Sequence, residues 1–271
     1  MVSKKRLVDC ARIIINCMNL EKGNCVYIRG NAHFREIIEQ VALEALRNGI
    51  HPLVSTVSDQ YYQSLFEDEK INPETLQQTP KHLLKLTESI DARITFDFYS
   101  DPSIRSRAPR KKTNALIRAF SPLNAIVRGS NEKFPKGKKW LYVGWPSKKA
   151  AEYYGLNYEK LKESIIGGIS VPIEYLNELT MTLSKKFKNA KIVRVRDDLG
   201  TDFWVDVENR SCERDYGSIS LDHVSKGYLG SNLPAGEIAF PPNETKGEGK
   251  FFCPITMNVF SQKILKNLCM Q

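Results

Sequence analysis

Near the N-terminus, two short apolar segments are separated by a single amphipathic segment, and this arrangement constrains the fold most. The apolar segments read "CVYI" from Cys25 and "HPLVSTV" from His51. Between them, "HFREIIEQVALEALRNG" places apolar side chains at helical spacing, and Gly49 stands where a C-terminal helix cap belongs. Two strands joined by a helix form a βαβ unit, in which the strands run parallel. The sequence therefore predicts an α/β fold.

The same alternation continues up to Pro146. A helix is predicted for residues 4–18, and further helices for "DQYYQSLFEDE" and "PKHLLKLTESI". "ARITFDFYS" and "KKWLYVGWP" predict two more strands, and "TNALIRAFSPLNAIV" predicts a helix that Pro122 interrupts. We therefore predict that residues 1–147 form an N-terminal domain with a doubly wound, mostly parallel sheet.

The pattern changes after this domain. Residues 148–190 predict a helical connection with a break at Gly167-Gly168. "AKIVRVRDD" and "TDFWVDV" then predict two strands joined at Leu199-Gly200, followed by turn-rich sequence. Residues 191–271 are thus predicted to begin a β-rich (α+β) second domain.

The composition argues against several classes of protein. No apolar run approaches the roughly 20 residues of a membrane span, and no signal peptide is predicted. The six cysteines form no CxxC pair, which favours reduced thiols in a cytoplasmic protein. The net charge is +9, and residues 101–150 carry thirteen basic against two acidic residues. A nucleic-acid binder is one interpretation of this basic segment, but a solvated basic face is favoured because no stacking platform of aromatic residues is evident.

Several common catalytic motifs are missing from the sequence. It contains no GxGxxG, GxxxxGK[ST], HExxH or GxSxG pattern, which argues against standard nucleotide sites, zincins and serine hydrolases. His33, His51 and His82 are expected to have surface or capping roles. His223 lies near enough in sequence to approach Glu237.

Acidic residues are concentrated between positions 197 and 237, and they are the oxygen donors that hard or borderline cations require. Glu237 is distinctive because it follows a Pro-Ala-Gly turn in "NLPAGEIAFPP" and opens a predicted strand. Gly236 allows the sharp backbone turn that would direct this carboxylate into a site.

These segments resemble the thermophilic metalloaminopeptidases, the family of aminopeptidase T and aminopeptidase S. The matching residues are Gly200-Thr201-Asp202, Asn209-Arg210, Asp215-Tyr216-Gly217 and Asn232 to Glu237. Two N-terminal passages, "EKGNCVYIRGNAHFREI" and "GWPSKKAAEYYGLNYEKLKESI", also fit the family's α/β domain, so the resemblance covers about residues 5–250.

The resemblance implies a dimeric exopeptidase that removes N-terminal residues from peptide substrates with two divalent metal ions, such as zinc, cobalt or manganese. It implies that Glu237 is a metal ligand. Asn232, Arg210 and Asp215 are weaker candidates for positioning groups, and for Arg210 and Asp215 a structural ion pair or turn is the preferred alternative.

The remaining ligands of the family lie downstream of this motif, whereas residues 251–271 contain no His, Asp or Glu. We therefore expect residues 191–271 to be an incomplete catalytic-type domain that is inactive alone or completed by a complementing chain. The alternative is a non-catalytic dimerisation or binding module derived from that family.

Overall fold

The computed structural model describes residues 2–257 and 264–270. The helices are α1 (Lys4–Met18), α2 (Arg35–Arg47), α3 (Asp59–Glu67), α4 (Pro73–Leu76), α5 (Lys81–Ser89), α6 (Pro102–Arg107), α7 (Arg110–Arg128), α8 (Lys148–Tyr154), α9 (Tyr158–Ile169), α10 (Ile173–Phe187) and α11 (Leu221–Ser225). The strands are β1 (Cys25–Asn31), β2 (His51–Val57), β3 (Ala92–Phe96), β4 (Lys139–Val143), β5 (Ile192–Arg196), β6 (Asp202–Asp206), β7 (Glu213–Asp215), β8 (Gly230–Leu233), β9 (Glu237–Ala239), β10 (Gly247–Met257) and β11 (Ile264–Met270).

Five parallel strands form the first sheet, in the order β2-β1-β3-β4-β8. The order reverses between β1 and β3, as in doubly wound α/β folds. One face of β1 and β3 carries buried apolar residues or glycine, among them Ile28, Gly30, Ile94 and Phe96. Helix α1 packs against α2, and α7 packs against α4 and α5. The predicted α/β class and parallel sheet are confirmed.

Local sequence explains where many of the helices begin. A side-chain oxygen just before the helix accepts a hydrogen bond from a backbone N–H of the first turn, which caps the helix. These capping residues are Ser3, Ser58, Asn72, Asp101, Ser147, Asn157 and Ser220. Helix α7 ends at Gly129, whose φ of 74° is the left-handed conformation typical of a helix C-terminus.

Two predicted helix breaks are wrong. Helix α7 continues through Pro122, because Leu123, Ile126 and Val127 beyond it are buried and hold the last turns in place. Helix α9 continues through Gly167-Gly168 and ends only before Pro172. A Cβ atom on Gly168 would lie 2.9 Å from Cβ of Pro234, so the glycine permits a close approach of helix and chain.

By contacts, the chain divides into two compact units. The first comprises Met1–Val171 and Gly217–Pro234, and the second comprises Pro172–Tyr216 and Ala235–Gln271. Strand β8 belongs to the first unit because it pairs with β4, although it lies far along the sequence. The second unit contains an antiparallel sheet in the order β11-β10-β6-β5 and the ribbon β7-β9. The domain boundaries predicted from the sequence, after residues 147 and 190, stay a prediction.

Within the described residues, no helix is long and apolar enough to cross a membrane. Cys10, Cys17, Cys25, Cys212 and Cys253 are not joined in disulfide bonds.

Part of the basic segment 101–150 serves the fold rather than a partner. Lys112 is buried, and its Nζ donates hydrogen bonds to the carbonyl oxygens of Leu65, Phe66 and Asp68 at 2.9, 3.1 and 2.6 Å. These carbonyls lie at the C-terminal end of α3, where a positive charge is favourable. Lys138 similarly donates to the carbonyl oxygen of Glu88 at 3.1 Å.

We expect Lys112→Met to lower the free energy of unfolding by about 2 kcal/mol, because these carbonyls lose a charged donor. Urea denaturation followed by circular dichroism measures this change. Lys111→Met is the matched control, since Lys111 is the exposed neighbour on the same helix, and it should change stability by less than about 0.5 kcal/mol. Equal effects of the two substitutions would contradict the assigned role.

Candidate metal centre

Glu237 is the first residue of β9 and follows the turn predicted from the sequence. Gly236 adopts a φ of 116°, and its N–H donates to the carbonyl oxygen of Asp215 at 3.0 Å. That bond anchors the turn to the end of β7. The expectation that Gly236 provides a special backbone conformation before Glu237 is therefore confirmed.

Asp215 lies directly opposite Glu237 in the antiparallel pairing of β7 with β9. Residues opposite each other in such a pair project to the same face, with Cβ atoms about 5 Å apart. Asp215 is half-buried and Glu237 is exposed. Like charges in this arrangement repel, and a cation between them would convert that repulsion into attraction.

Glu213 occupies the same face of β7 as Asp215, two residues earlier. It pairs with Ala239 and is therefore displaced along the ribbon from Glu237. Within the part of the chain that the structure describes, no group of three or more His, Cys, Asp or Glu side chains is placed to hold a metal ion. The ribbon therefore presents two facing carboxylates, which suit a divalent cation as part of a larger set of ligands.

Helix α10 supports this ribbon from the same unit. Arg214 points to the opposite face from Asp215, and its Nη1 donates to the backbone oxygen and Oδ1 of Asn177 at 3.2 and 3.0 Å. Leu176 is buried, and a Cβ atom added to Gly236 would lie 3.1 Å from Cδ2 of Leu176. The position of Glu237 is thus fixed by packing as well as by backbone pairing.

We expect Gly236→Ala to lower the free energy of unfolding by about 2 kcal/mol, since it adds strain at positive φ and a close contact with Leu176. Gly200→Ala is the matched control in the same unit. Gly200 has a φ of 106°, and a Cβ atom there would meet no atom within 4 Å. This control should lose only about 1 kcal/mol. Identical losses in urea denaturation would show that the contact with Leu176 is unimportant.

Arg210 participates in a separate set of contacts within the second unit. Its Nε donates to Oδ1 of Asn243, and its Nη2 pairs with Glu244, both at 2.8 Å. Asn243 in turn bonds to Asp206, so these contacts join two loops next to β6. A positioning role for Arg210 beside Glu237 stays a prediction.

Asn232 lies on β8, where it pairs in register with Tyr142 of β4. It is half-buried and belongs to the first unit. Its predicted positioning role stays a prediction.

All four histidines belong to the first unit. His223 is buried in α11, where its Nδ1 lies 3.0 Å from the carbonyl oxygen of Ser218 and its ring meets Tyr228 edge-on. The expectation that His223 approaches Glu237 stays a prediction. His33 lies in a short 3₁₀ helix, His82 in the first turn of α5, and His51 opens β2.

The sequence analysis missed a polar network at the carboxyl ends of β1 and β3. Asn31 donates from Nδ2 to Asp59 at 2.7 Å, and the N–H of Ser100 donates to the same carboxylate at 3.0 Å. Nearby, Asp97 accepts hydrogen bonds from the Tyr142 hydroxyl and the Trp145 N–H, and burial raises the pKa of Asp97. The sequence feature that could have predicted this network is the set of polar residues that directly follow the buried strands. These contacts hold the loops together.

Comparison with known proteins identifies one matching family and two similar solved structures. The sequence model of the family described as thermophilic metalloprotease (M29) matches residues 3–268. The structure resembles wild-type AmpT from Thermus thermophilus with a TM-score of 0.73 and 18% identity, covering 98% of this chain and 68% of that one. It also resembles 2,5-dihydroxypyridine dioxygenase from Pseudomonas putida KT2440, with a TM-score of 0.51 and 13% identity, covering 93% of this chain and 60% of that one. No curated protein sequence matches. At these identities, the structural likenesses establish the fold alone.

Proposed function

The chain belongs to the thermophilic metalloprotease (M29) family, and on this premise we propose that it forms part of a metal-dependent aminopeptidase acting on the N-terminal residues of peptides. Glu237 is a metal ligand in this proposal. The observation that carries it is the pairing of Asp215 with Glu237, which puts two carboxylates on one face of the ribbon.

Divalent ions bound there would polarise the scissile carbonyl and lower the pKa of a bound water. The chain's own contribution is to hold the ligand in place. Gly236 sets the direction in which β9 begins, Asp215 adds negative charge beside Glu237, and α10 fixes the ribbon from behind. These features favour a cation at this face.

A catalytic zinc ion uses about three protein ligands, and this ribbon provides only two carboxylates. The described residues supply no larger cluster. We therefore propose that a complementing chain supplies the remaining ligands in the assembled enzyme. Zinc, cobalt and manganese are the metals to test, and the cytoplasm is the proposed location.

A hydrolysis assay tests this function on the protein isolated from its own cells at low salt, so that any assembly is retained. Aminoacyl chromogenic amides with a free N-terminus should be cleaved when zinc, cobalt or manganese is present. Their N-acetylated counterparts should not be cleaved, and a chelator should abolish turnover. Failure to cleave any free-amine substrate with all three metals would overturn the proposal.

A second candidate is a non-catalytic dimerisation module, and the edge of the first sheet favours it. Strand β2 is terminal in the strand order, and its Leu53 and Val54 are 49% and 39% exposed. Leu43 and Leu46 on α2 are also exposed, at 45% and 55%. An unpaired edge with apolar side chains suits pairing with a second copy. Light scattering tests whether the protein is a dimer, and this candidate additionally requires that the dimer lacks bound metal and shows no turnover in the hydrolysis assay.

A further inference from the structure

A cavity of about 190 Å³ lies on the face of the first sheet opposite the apolar face described above. Its principal lining residues, which we call the arginine pocket, are Arg29, Arg93, Phe98, Arg128, Trp140 and Tyr142. The strand register explains how residues far apart in sequence meet here. Arg29 pairs with Thr95, which pairs with Tyr142, and Arg93 pairs with Trp140 in the adjacent row. The pocket belongs entirely to the first unit.

Arg29 is half-buried in this pocket and has no carboxylate partner among the residues that the structure describes. Its Nε donates to Oγ1 of Thr95 at 3.3 Å, and its guanidinium lies 4.9 Å from the ring centre of Phe98 and 5.9 Å from that of Phe120. Burial lowers the pKa of Arg29. Aromatic rings and one hydroxyl thus hold a cation that retains unused N–H donors.

Arg93 is in the same situation. Its Nη1 donates to Oδ1 of Asn124 at 3.2 Å, and its Nε is buried without a hydrogen-bond partner among the described residues. The pKa of Arg93 is lowered to about 9, chiefly by burial and to a smaller extent by the nearby positive charges of Arg29 and Arg128. Burying the positive charge of Arg93 near those of Arg29 and Arg128 costs free energy unless an anion binds between them.

Among the described residues, no ion pair joins such an anion to these arginines. In the described part of the protein, none of the ion pairs includes Arg29, Arg93 or Arg128. Asp97, which meets the lining residue Tyr142, accepts hydrogen bonds from the Tyr142 hydroxyl and the Trp145 N–H. Tyr27 and Tyr62 are the other titratable groups near Arg29.

We propose that the arginine pocket binds a small phosphate-bearing anion, such as a phosphate monoester. Guanidinium groups match phosphate oxygens in pairs, and three of them converge on one cavity. Trp140, Phe98 and Tyr142 provide apolar walls for the organic part of such a ligand. This site is independent of the metal centre proposed above.

Thermal unfolding at matched ionic strength tests the proposal with three probes: sodium chloride, inorganic phosphate and phenyl phosphate. We expect the melting temperature to rise by roughly 5 °C with phenyl phosphate and by less with inorganic phosphate, relative to chloride. An equal rise with both phosphates would identify free phosphate as the ligand. No rise above chloride with either would overturn the proposal.

Arginine variants locate the binding site. Arg93→Gln should keep or raise the melting temperature without ligand, because it removes a repelled buried cation, and should bind phenyl phosphate at least about 10-fold more weakly in calorimetry. Arg128→Gln, at an exposed position, gives a second variant if Arg93→Gln does not fold. Arg118→Gln is the control, since Arg118 lies on the same helix as Arg128 but is exposed and lies outside the pocket. The proposal is wrong if the Arg118 and pocket variants bind alike.

Discussion

Replacing Gly30 with alanine is expected to lower the free energy of unfolding by about 3 kcal/mol. Gly30 is buried on β1, the strand between β2 and β3. An added Cβ atom would lie 2.6 Å from Cβ and 3.4 Å from Cα of Phe96, and 3.2 Å from Cδ1 of Ile38. Phe96 is fully buried on β3, so its backbone cannot withdraw without separating the two strands.

Gly167→Ala provides the matched control for this prediction. Gly167 lies in α9 of the same unit, and a Cβ atom there would meet no atom within 4 Å. Alanine also favours a helix, so this variant should be unchanged or more stable by up to about 1 kcal/mol. Both values come from urea denaturation monitored by circular dichroism. A loss below about 1 kcal/mol in Gly30→Ala would show that β1 and β3 are less closely packed than described.

Replacing Glu237 with glutamine is expected to weaken divalent-metal binding by about 100-fold or more. The substitution keeps the size of the side chain but removes the charge that attracts the cation. Asp215→Asn should weaken binding about 10-fold, because Asp215 faces Glu237 across the ribbon. Calorimetric titration with zinc, cobalt and manganese measures these affinities.

Glu248→Gln is the control for the metal titration. Glu248 lies on β10 in the same unit, opposite Trp204, and its loss changes the net charge by the same amount as the Glu237 variant. It should leave metal affinity unchanged. Similar weakening in all three variants would mean that overall charge, rather than a site at Glu237, governs binding.

Local sequence predicted most elements of the first unit because helix and strand periodicity is a property of neighbouring residues. Helix α1 and strand β2 have the predicted limits. Pro122 misled the prediction because the packing of Leu123 and Ile126 overrides its local effect on the helix. The pairing of β8 with β4 could not be read from periodicity, since it depends on contacts far apart in sequence.

In the candidate site too, features set by neighbouring residues could be predicted from the sequence, whereas contacts between distant segments could not. Glu237 was selected from a short motif and its turn, both of which are local. That Asp215 faces it follows from the register of β7 and β9, which no single segment specifies. The arginine pocket was missed for the same reason, because Arg29, Arg93 and Arg128 come together only when β1, β3 and α7 are assembled.

The most direct test of the metal centre is elemental analysis of the protein isolated without chelators, alongside Glu237→Gln and Glu248→Gln. Our account predicts that zinc, cobalt or manganese copurifies with the wild type and with Glu248→Gln, and is lost from Glu237→Gln. An unchanged metal content in Glu237→Gln, or no metal in the wild type, would contradict the assignment of Glu237 as a metal ligand.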